Sequence, residues 1–237
     1  MQPTIVLVHG AFAETGTWDG VIDPLISAGH PVIAAANPLR GLGADAAAVS
    51  DLVRSIDGPV LLAGHSYGGA VITNVDPDAG DIVGLVYVAA FAPQPGESAL
   101  ELANMFPGST LGDALKPVPR SDGTTDLYVL ADRFQSQICA DVPAARAATM
   151  AAKQRPVTHE ALDEASGEGG LWQTLPSWFL FGELDHAIPV ECARFMATRA
   201  RAHRVTEIPG ASHAVPVAHA GATAHLIRDA ASVHVAA

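Results

Sequence analysis

Three short stretches of the chain carry side chains that can act together as nucleophile, base and orienting acid. The first is Gly64-His65-Ser66-Tyr67-Gly68-Gly69. It follows an apolar run, Pro59–Ala63, and precedes a helical pattern, which is the setting a G-x-S-x-G nucleophile elbow requires. The turn is sharp, and glycines on both flanks remove side-chain clashes. Ser66 is thereby expected at the carboxyl edge of a sheet and at a helix N-terminus, where free N–H groups and the helix dipole favour a developing anion.

Serine is a poor nucleophile without a base, and in this arrangement the chain order is Ser, acid, His. Ten histidines are available. His213 lies in Pro209-Gly210-Ala211-Ser212-His213, a loop after the last apolar run and before the last helix, which places it on the same sheet edge as Ser66. His219 and His225 fall inside a helical pattern, His234 lies in the tail, and His30 and His203 precede strands at the opposite edge. His186 is the nearest rival. The acid belongs in Phe181-Gly182-Glu183-Leu184-Asp185-His186-Ala187-Ile188-Pro189, where Asp185 is the choice and Glu183 the alternative. Its role is to hold the imidazole tautomer and stabilise the imidazolium. Two backbone donors complete the set for acyl transfer: the N–H of Tyr67, after the nucleophile, and the N–H of Ala11, in the loop His9-Gly10-Ala11-Phe12. Phe12, Trp18, Tyr128 and Trp172 are expected to line a substrate pocket between core and insertion.

The elements that must position these groups are legible as apolar runs separated by helical patterns. The runs are Thr4–Val8, Pro31–Ala35, Pro59–Ala63, Ile82–Ala89, Trp178–Phe181 and Val205–Ile208. Their near-continuous apolar character fits strands buried on both faces of a parallel sheet. Helical spacing is found in Trp18–Ala28 (with Pro24 inside it), Asp45–Ile56, Gly68–Val75, Val190–Arg201 and Pro216–Ala231. The alternation predicts a doubly wound α/β sheet. It fails from Pro93 to Trp172, a stretch with helical pieces, notably Val142–Gln154, but no convincing buried strand. A structureless loop of that length is implausible, so residues 93–172 are expected to form an inserted helical cap on a core built from 1–92 and 173–237.

Composition narrows the possibilities. The net charge of −12 disfavours nucleic acid and anionic lipid as partners. No apolar stretch long enough for a membrane span occurs, and the N-terminus has no basic region before an apolar signal core, which predicts a cytoplasmic protein. Cys139 and Cys192 have neither metal-ligand nor redox spacing. Gly41-Leu42-Gly43 lacks the third glycine of a dinucleotide fingerprint. No cofactor and no metal are expected, and a monomer or homodimer acting on a small molecule is.

The run VLVHGAFAETGTW, ending at Trp18, together with GHSYGG, LVYVAAFAPQPGES, FGELDHAIP and GASHAV, resembles bacterial esterases related to plant methylesterases and hydroxynitrile lyases, members of the α/β-hydrolase superfamily. The motifs match in order and spacing. In the insertion, DVPAARAATMAAKQRP resembles the bacterial members. The resemblance implies a six-stranded, mainly parallel sheet under a small cap. It also implies Ser66, Asp185 and His213 as a triad, with Ala11 and Tyr67 as oxyanion donors. The expected activity is hydrolysis of small, fairly apolar esters through an acyl-enzyme, with lactones a close variant. Perhydrolysis, lyase chemistry on the same triad, and a non-catalytic binder are the alternatives. Cyanohydrin cleavage is disfavoured. In the related lyases a lysine closely follows the histidine of the triad and a threonine follows the first-loop histidine. Here Ala214 follows His213 and Gly10 follows His9, and the two lysines, Lys116 and Lys153, both fall in the insertion.

Overall fold

The protein is described here from a computed structural model covering residues 1–235. The chain opens with β1 (Thr4–Val8), crosses through α1 (Asp19–Ser27) to β2 (Val32–Ala35), and returns through α2 (Leu42–Arg54) to β3 (Pro59–Ser66). Helix α3 (Tyr67–Thr73) leads on to β4 (Asp81–Ala90). The insertion carries α4 (Ala99–Met105), β5 (Leu115–Pro119), β6 (Thr125–Val129), α5 (Ala131–Ile138), α6 (Ala144–Lys153), β7 (Val157–Thr158) and α7 (His159–Asp163). The core resumes with β8 (Ser177–Gly182), α8 (Val190–Arg199), β9 (Arg204–Ile208), α9 (Val215–Ala218) and α10 (Ala220–Val235).

Six strands form one sheet in the order β2-β1-β3-β4-β8-β9, and every neighbouring pair is parallel. Alternation along each strand sorts the apolar side chains onto two faces. Ile5, Leu7, Leu61, Val86 and Val88 pack with Val21, Leu25 and Ile227 of α1 and α10. Val6, Val8, Leu62, Leu85 and Phe179 face the opposite way, against α2, α3, α8 and the insertion. A parallel sheet covered on both faces explains why its strands read as unbroken apolar runs.

The six expected strands are all present, most of them a residue or more longer than the apolar run at one or both ends. The last helical pattern divides into α9 and α10 at His219, whose φ of −124° leaves the helical region. The insertion differs more from expectation. It is not purely helical: β5, β6 and β7 form a three-stranded antiparallel sheet. These strands were hidden because Lys116-Pro117-Val118-Pro119 is largely exposed and proline-rich, which suits an edge strand and leaves no buried run to detect.

The insertion is tied to the core by buried apolar contacts and by arginines. Phe134, Ile138 and Val157 belong to the same apolar cluster as Val6 and Leu62. Arg40 pairs with Asp126 at 2.5 Å and donates to Pro156 O at 2.9 Å. Arg199 of α8 makes a two-pronged pair with Glu97, at 2.7 and 2.8 Å, in partly shielded surroundings. No helix among the described residues is long and apolar enough to cross a membrane.

Packing at the head of α3 sets the sheet edge. A Cβ on Gly68 would stand 2.4 Å from Val8 O, backbone against backbone. Gly68→Ala is therefore expected to destabilise the protein by about 1–3 kcal/mol or more, since overpacking there cannot be relieved by a side-chain rotation. Urea unfolding measures this. Unchanged stability would mean that β1 and α3 do not approach as described.

Candidate active site

Ser66 is the last residue of β3 and the residue before α3, with φ 55° and ψ −124°. This is the left-handed half of the map, costly for a residue with a Cβ. The tight entry into α3 imposes it: a Cβ on Gly64 would fall 2.5 Å from Gly68 O, so strand and helix backbones nearly touch. The side chain of Ser66 is held up at the carboxyl edge of the sheet. Tyr67 opens the helix, where a backbone N–H has no intrahelical acceptor. Its ring is anchored below, with the phenol donating to Asp45 Oδ2 at 2.9 Å.

His213 and Asp185 stand on the loops after β9 and β8, both nearly fully buried. His213 Nδ1 donates to Asp185 Oδ2 at 2.7 Å. Asp185 is itself fixed, because its Oδ1 accepts the N–H groups of Ala187 and Ile188 at 2.8 and 2.9 Å. The imidazole is thus held with its proton on Nδ1 and its Nε2 lone pair free. Glu183, the rival acid, is exposed and accepts from Gly210 N at 3.0 Å; it braces the loop that carries His213 without touching the ring. His186, the rival base, is also exposed, with Nδ1 3.2 Å from Ser136 O.

The His213 loop is further clamped by the insertion. Asp141 accepts from Ser212 N at 3.2 Å and Ser212 Oγ at 2.5 Å, and pairs with His219 at 3.1 Å. Beneath the ring lies His65, its centroid 4.9 Å from that of His213 and its Nε2 donating to His213 O at 3.1 Å.

Two cavities meet at this point. One is mainly apolar, lined by Ser66, Tyr67, Ala11 and His213 at its base and by Leu100, Leu111 and other insertion side chains above. The other, also bordered by Ala11, Phe12 and His213, is edged by Glu14, Asp19, Arg146 and Lys153. Lys153 pairs with Glu14 at 2.5 Å, and this contact holds the Glu14 carboxyl below its ordinary range.

The structure brings Ser66, Asp185, His213, Ala11, Tyr67 and Phe12 together. It places three expected pocket residues elsewhere. Trp18 has no exposed surface and packs edge-on against His65, because its 3-10 turn inserts it into the face shared with α1 and α10. Tyr128 lines neither cavity. Strand alternation sends Leu127 and Val129 to the core and turns Tyr128 to the other face of β6. Trp172 is a packing residue where the insertion rejoins the sheet: its Nε1 donates to Pro93 O at 2.8 Å and Arg199 lies over its ring. The residues that do shape the apolar cavity, such as Leu100, Ala103, Leu111 and Leu115, carry no motif that marks them in the sequence. The one available signal was the capping box of α4, where Ser98 and Glu101 exchange hydrogen bonds and mark a helix start.

The chain belongs to the alpha/beta hydrolase family, whose model matches residues 5–226. A carbendazim hydrolyzing esterase from Nocardioides sp. (strain SG-4G) is 36% identical over 110 residues, which is 41% of this chain and 46% of that protein. The match thus spans less than half the length of this curated relative. Polyneuridine aldehyde esterase has the same fold, with a TM-score of 0.81 at 19% identity, covering 97% of this chain and 99% of its own. A methylesterase from Arabidopsis superposes with a TM-score of 0.79 at 14% identity, covering 98% and 99% of the two chains.

Two buried histidines give the site a pH signature. Burial lowers the pKa of His9 from 6.5 to about 4, and burial followed by repulsion from His213 lowers that of His65 to about 3. In the unfolded chain both titrate near 6.5. Between 6.5 and the folded values the unfolded state binds more protons, so stability is full above about pH 6.5 and falls as pH drops, by up to about 1.4 kcal/mol per unit per group. Urea unfolding from pH 7 to 4.5 should show this decline, and His65→Gln should reduce its slope. A flat profile would contradict the neutral, buried state of these rings.

Proposed function

We propose that the protein is a carboxylic ester hydrolase in which Ser66 attacks the ester carbonyl and a covalent acyl-enzyme forms. The observation that carries this reading is the convergence of Ser66, His213 and the Ala11 and Tyr67 peptides on one cavity, with Asp185 bonded to the far side of the imidazole. His213 Nε2 takes the Ser66 proton as the Oγ–carbon bond forms. Asp185 stabilises the imidazolium. The carbonyl oxygen becomes an anion received by the N–H groups of Ala11 and Tyr67, donors that are already in place before the charge develops. His213 then protonates the departing alkoxide, and a water activated by the same ring releases the acid.

The two cavities suggest how a substrate lies. The leaving alcohol must sit where His213 can protonate it, and His213 borders both cavities. The mainly apolar cavity above Ser66 suits the acyl chain, and the charged cavity suits the alcohol side. Small, fairly apolar acyl groups are favoured on this reading, and lactones, which carry both halves in one ring, are a variant of the same chemistry. That relatives of this fold include esterases is in accord with it.

Lyase chemistry has one feature in its favour, because Lys153 does reach the charged cavity. Its ammonium is engaged by Glu14, however, and Asp19 also acts on it. A charge already balanced offers little to an expelled cyanide. Mandelonitrile should give no enzyme-dependent aldehyde; release abolished by Ser66→Ala, with little ester turnover, would favour the lyase.

Two variants test the hydrolase. Ser66→Ala should lose turnover of an aryl butyrate by several orders of magnitude without loss of fold, and survival of most of the activity would refute the mechanism. Asp185→Asn should cost on the order of 10⁴ through loss of the tautomer, with Glu183→Gln mild. The reverse ranking would move the acid to Glu183.

A further inference from the structure

Below the Gly10–Ala11 peptide lies a buried polar cluster that the scheme above leaves unused. His9 has no exposed surface. Its Nδ1 is 3.0 Å from Gly10 O. A carbonyl oxygen only accepts, so Nδ1 carries the ring proton. Its Nε2 receives the Asn37 N–H at 3.1 Å. A backbone N–H only donates, so Nε2 holds the lone pair. The two contacts select one neutral tautomer. Asn37 closes the cluster by donating Nδ2 to His9 O at 3.0 Å. Arg155, from the insertion, donates Nη1 to Asn37 O at 3.0 Å and brings the same nitrogen to 3.5 Å from His9 Nε2.

The bond to Gly10 O has a consequence for the other end of that peptide. No cis peptide bond occurs among the described residues, and in a planar trans peptide C=O and N–H point in opposite directions. A group that holds Gly10 O therefore fixes the direction of the Ala11 N–H. Ala11 borders the same cavity as Ser66, and its N–H has no backbone partner among the described residues. Restraint is needed because the position demands glycine. A Cβ on Gly10 would stand 2.6 Å from Ser66 Cβ and 2.8 Å from His65 O. Glycine is also the residue whose backbone turns most freely. A turned peptide would present the Gly10 carbonyl oxygen to the forming anion, replacing attraction with repulsion.

We propose that His9 is a positioning residue that holds the Gly10–Ala11 peptide so that the Ala11 N–H faces the oxyanion, with Asn37 and Arg155 enforcing the tautomer it needs. The inference rests on the proposed attack of Ser66 on an ester carbonyl. It links the insertion to the turnover step through one guanidinium and one imidazole, neither of which touches substrate.

Paired amide substitutions separate this role from simple packing. In His9→Asn the side-chain amide stands near the place of Nδ1 and keeps a donor for Gly10 O, with no tautomer to set. In His9→Gln the amide reaches the place of Nε2, keeps an acceptor for the Asn37 N–H, and loses the Gly10 donor. With a chromogenic butyrate ester, His9→Gln should lower kcat by about 10–100-fold while KM moves little, because the anion exists only beyond the ground state. His9→Asn should stay within about threefold of the parent. Inhibition by an alkyl trifluoromethyl ketone, whose adduct on Ser66 bears the oxyanion, should weaken in His9→Gln by a factor similar to the loss in kcat. Arg155→Met, nearer the surface, should lower kcat several-fold at constant KM even if a core variant fails to fold. Equal losses in Asn and Gln variants, matched by equal falls in thermal midpoint, or an unchanged kcat in His9→Gln or in Arg155→Met, would overturn the proposal. Ser66→Ala distinguishes the parent reading: if that variant keeps its turnover, the hydrolase mechanism itself fails, whatever the His9 variants do.

Discussion

The conformation of Ser66 is the constraint on which the site depends. A serine at φ 55° is strained. It is held by backbones pressed together at the carboxyl edge of the sheet: β3 against α3 at Gly64 and Gly68, β1 against α3 at Gly68, and the segment after β4 against Gly69, where a Cβ would be 2.5 Å from Phe91 O. The same approach brings the loop after β1 over the serine, which is why Gly10 has no room for a side chain. One packing problem thus brings Ser66, Tyr67 and Ala11 to the lining of one cavity.

Around that point the polar groups are placed in layers, each fixed by the next. Asp185 is pinned by two backbone N–H groups and in turn fixes His213. The His213 loop rests on His65 from below and is clamped by Asp141 from the insertion. His65 is buried and kept neutral, so it holds the His213 carbonyl by a hydrogen bond without adding positive charge beside that ring, and His9 is likewise buried and neutral. The insertion therefore does more than cover the cavity, since Asp141 reaches the loop that carries His213 and Arg155 reaches the cluster around His9.

Much of this was legible in the sequence because parallel strands buried on both faces leave unbroken apolar runs, and because a strained elbow demands glycines at fixed offsets. The loops holding Asp185 and His213 followed from chain order and sheet edge. The aromatic assignments fared differently. Residue type alone points Trp18, Tyr128 and Trp172 to a pocket, yet a large apolar ring is as well used filling a core as lining a pocket, and strand parity or the angle of a 3-10 turn decides between them. The small sheet of the insertion was invisible for a related reason: its exposed, proline-bearing edge strand carries no hydrophobic pattern. The contacts of His9 were equally hidden, because they depend on which peptide faces which across 28 residues of chain.

In the proposed reaction an acyl group passes through Ser66. Rapid acid quench of the enzyme with a slowly deacylating aryl ester, followed by mass analysis of its peptides, tests this directly. The acyl mass is expected on the peptide containing Ser66, appearing as the phenol is released and decaying as the acid forms. Phenol release at full rate with no acyl mass on that peptide, or with the mass on another residue, would contradict it.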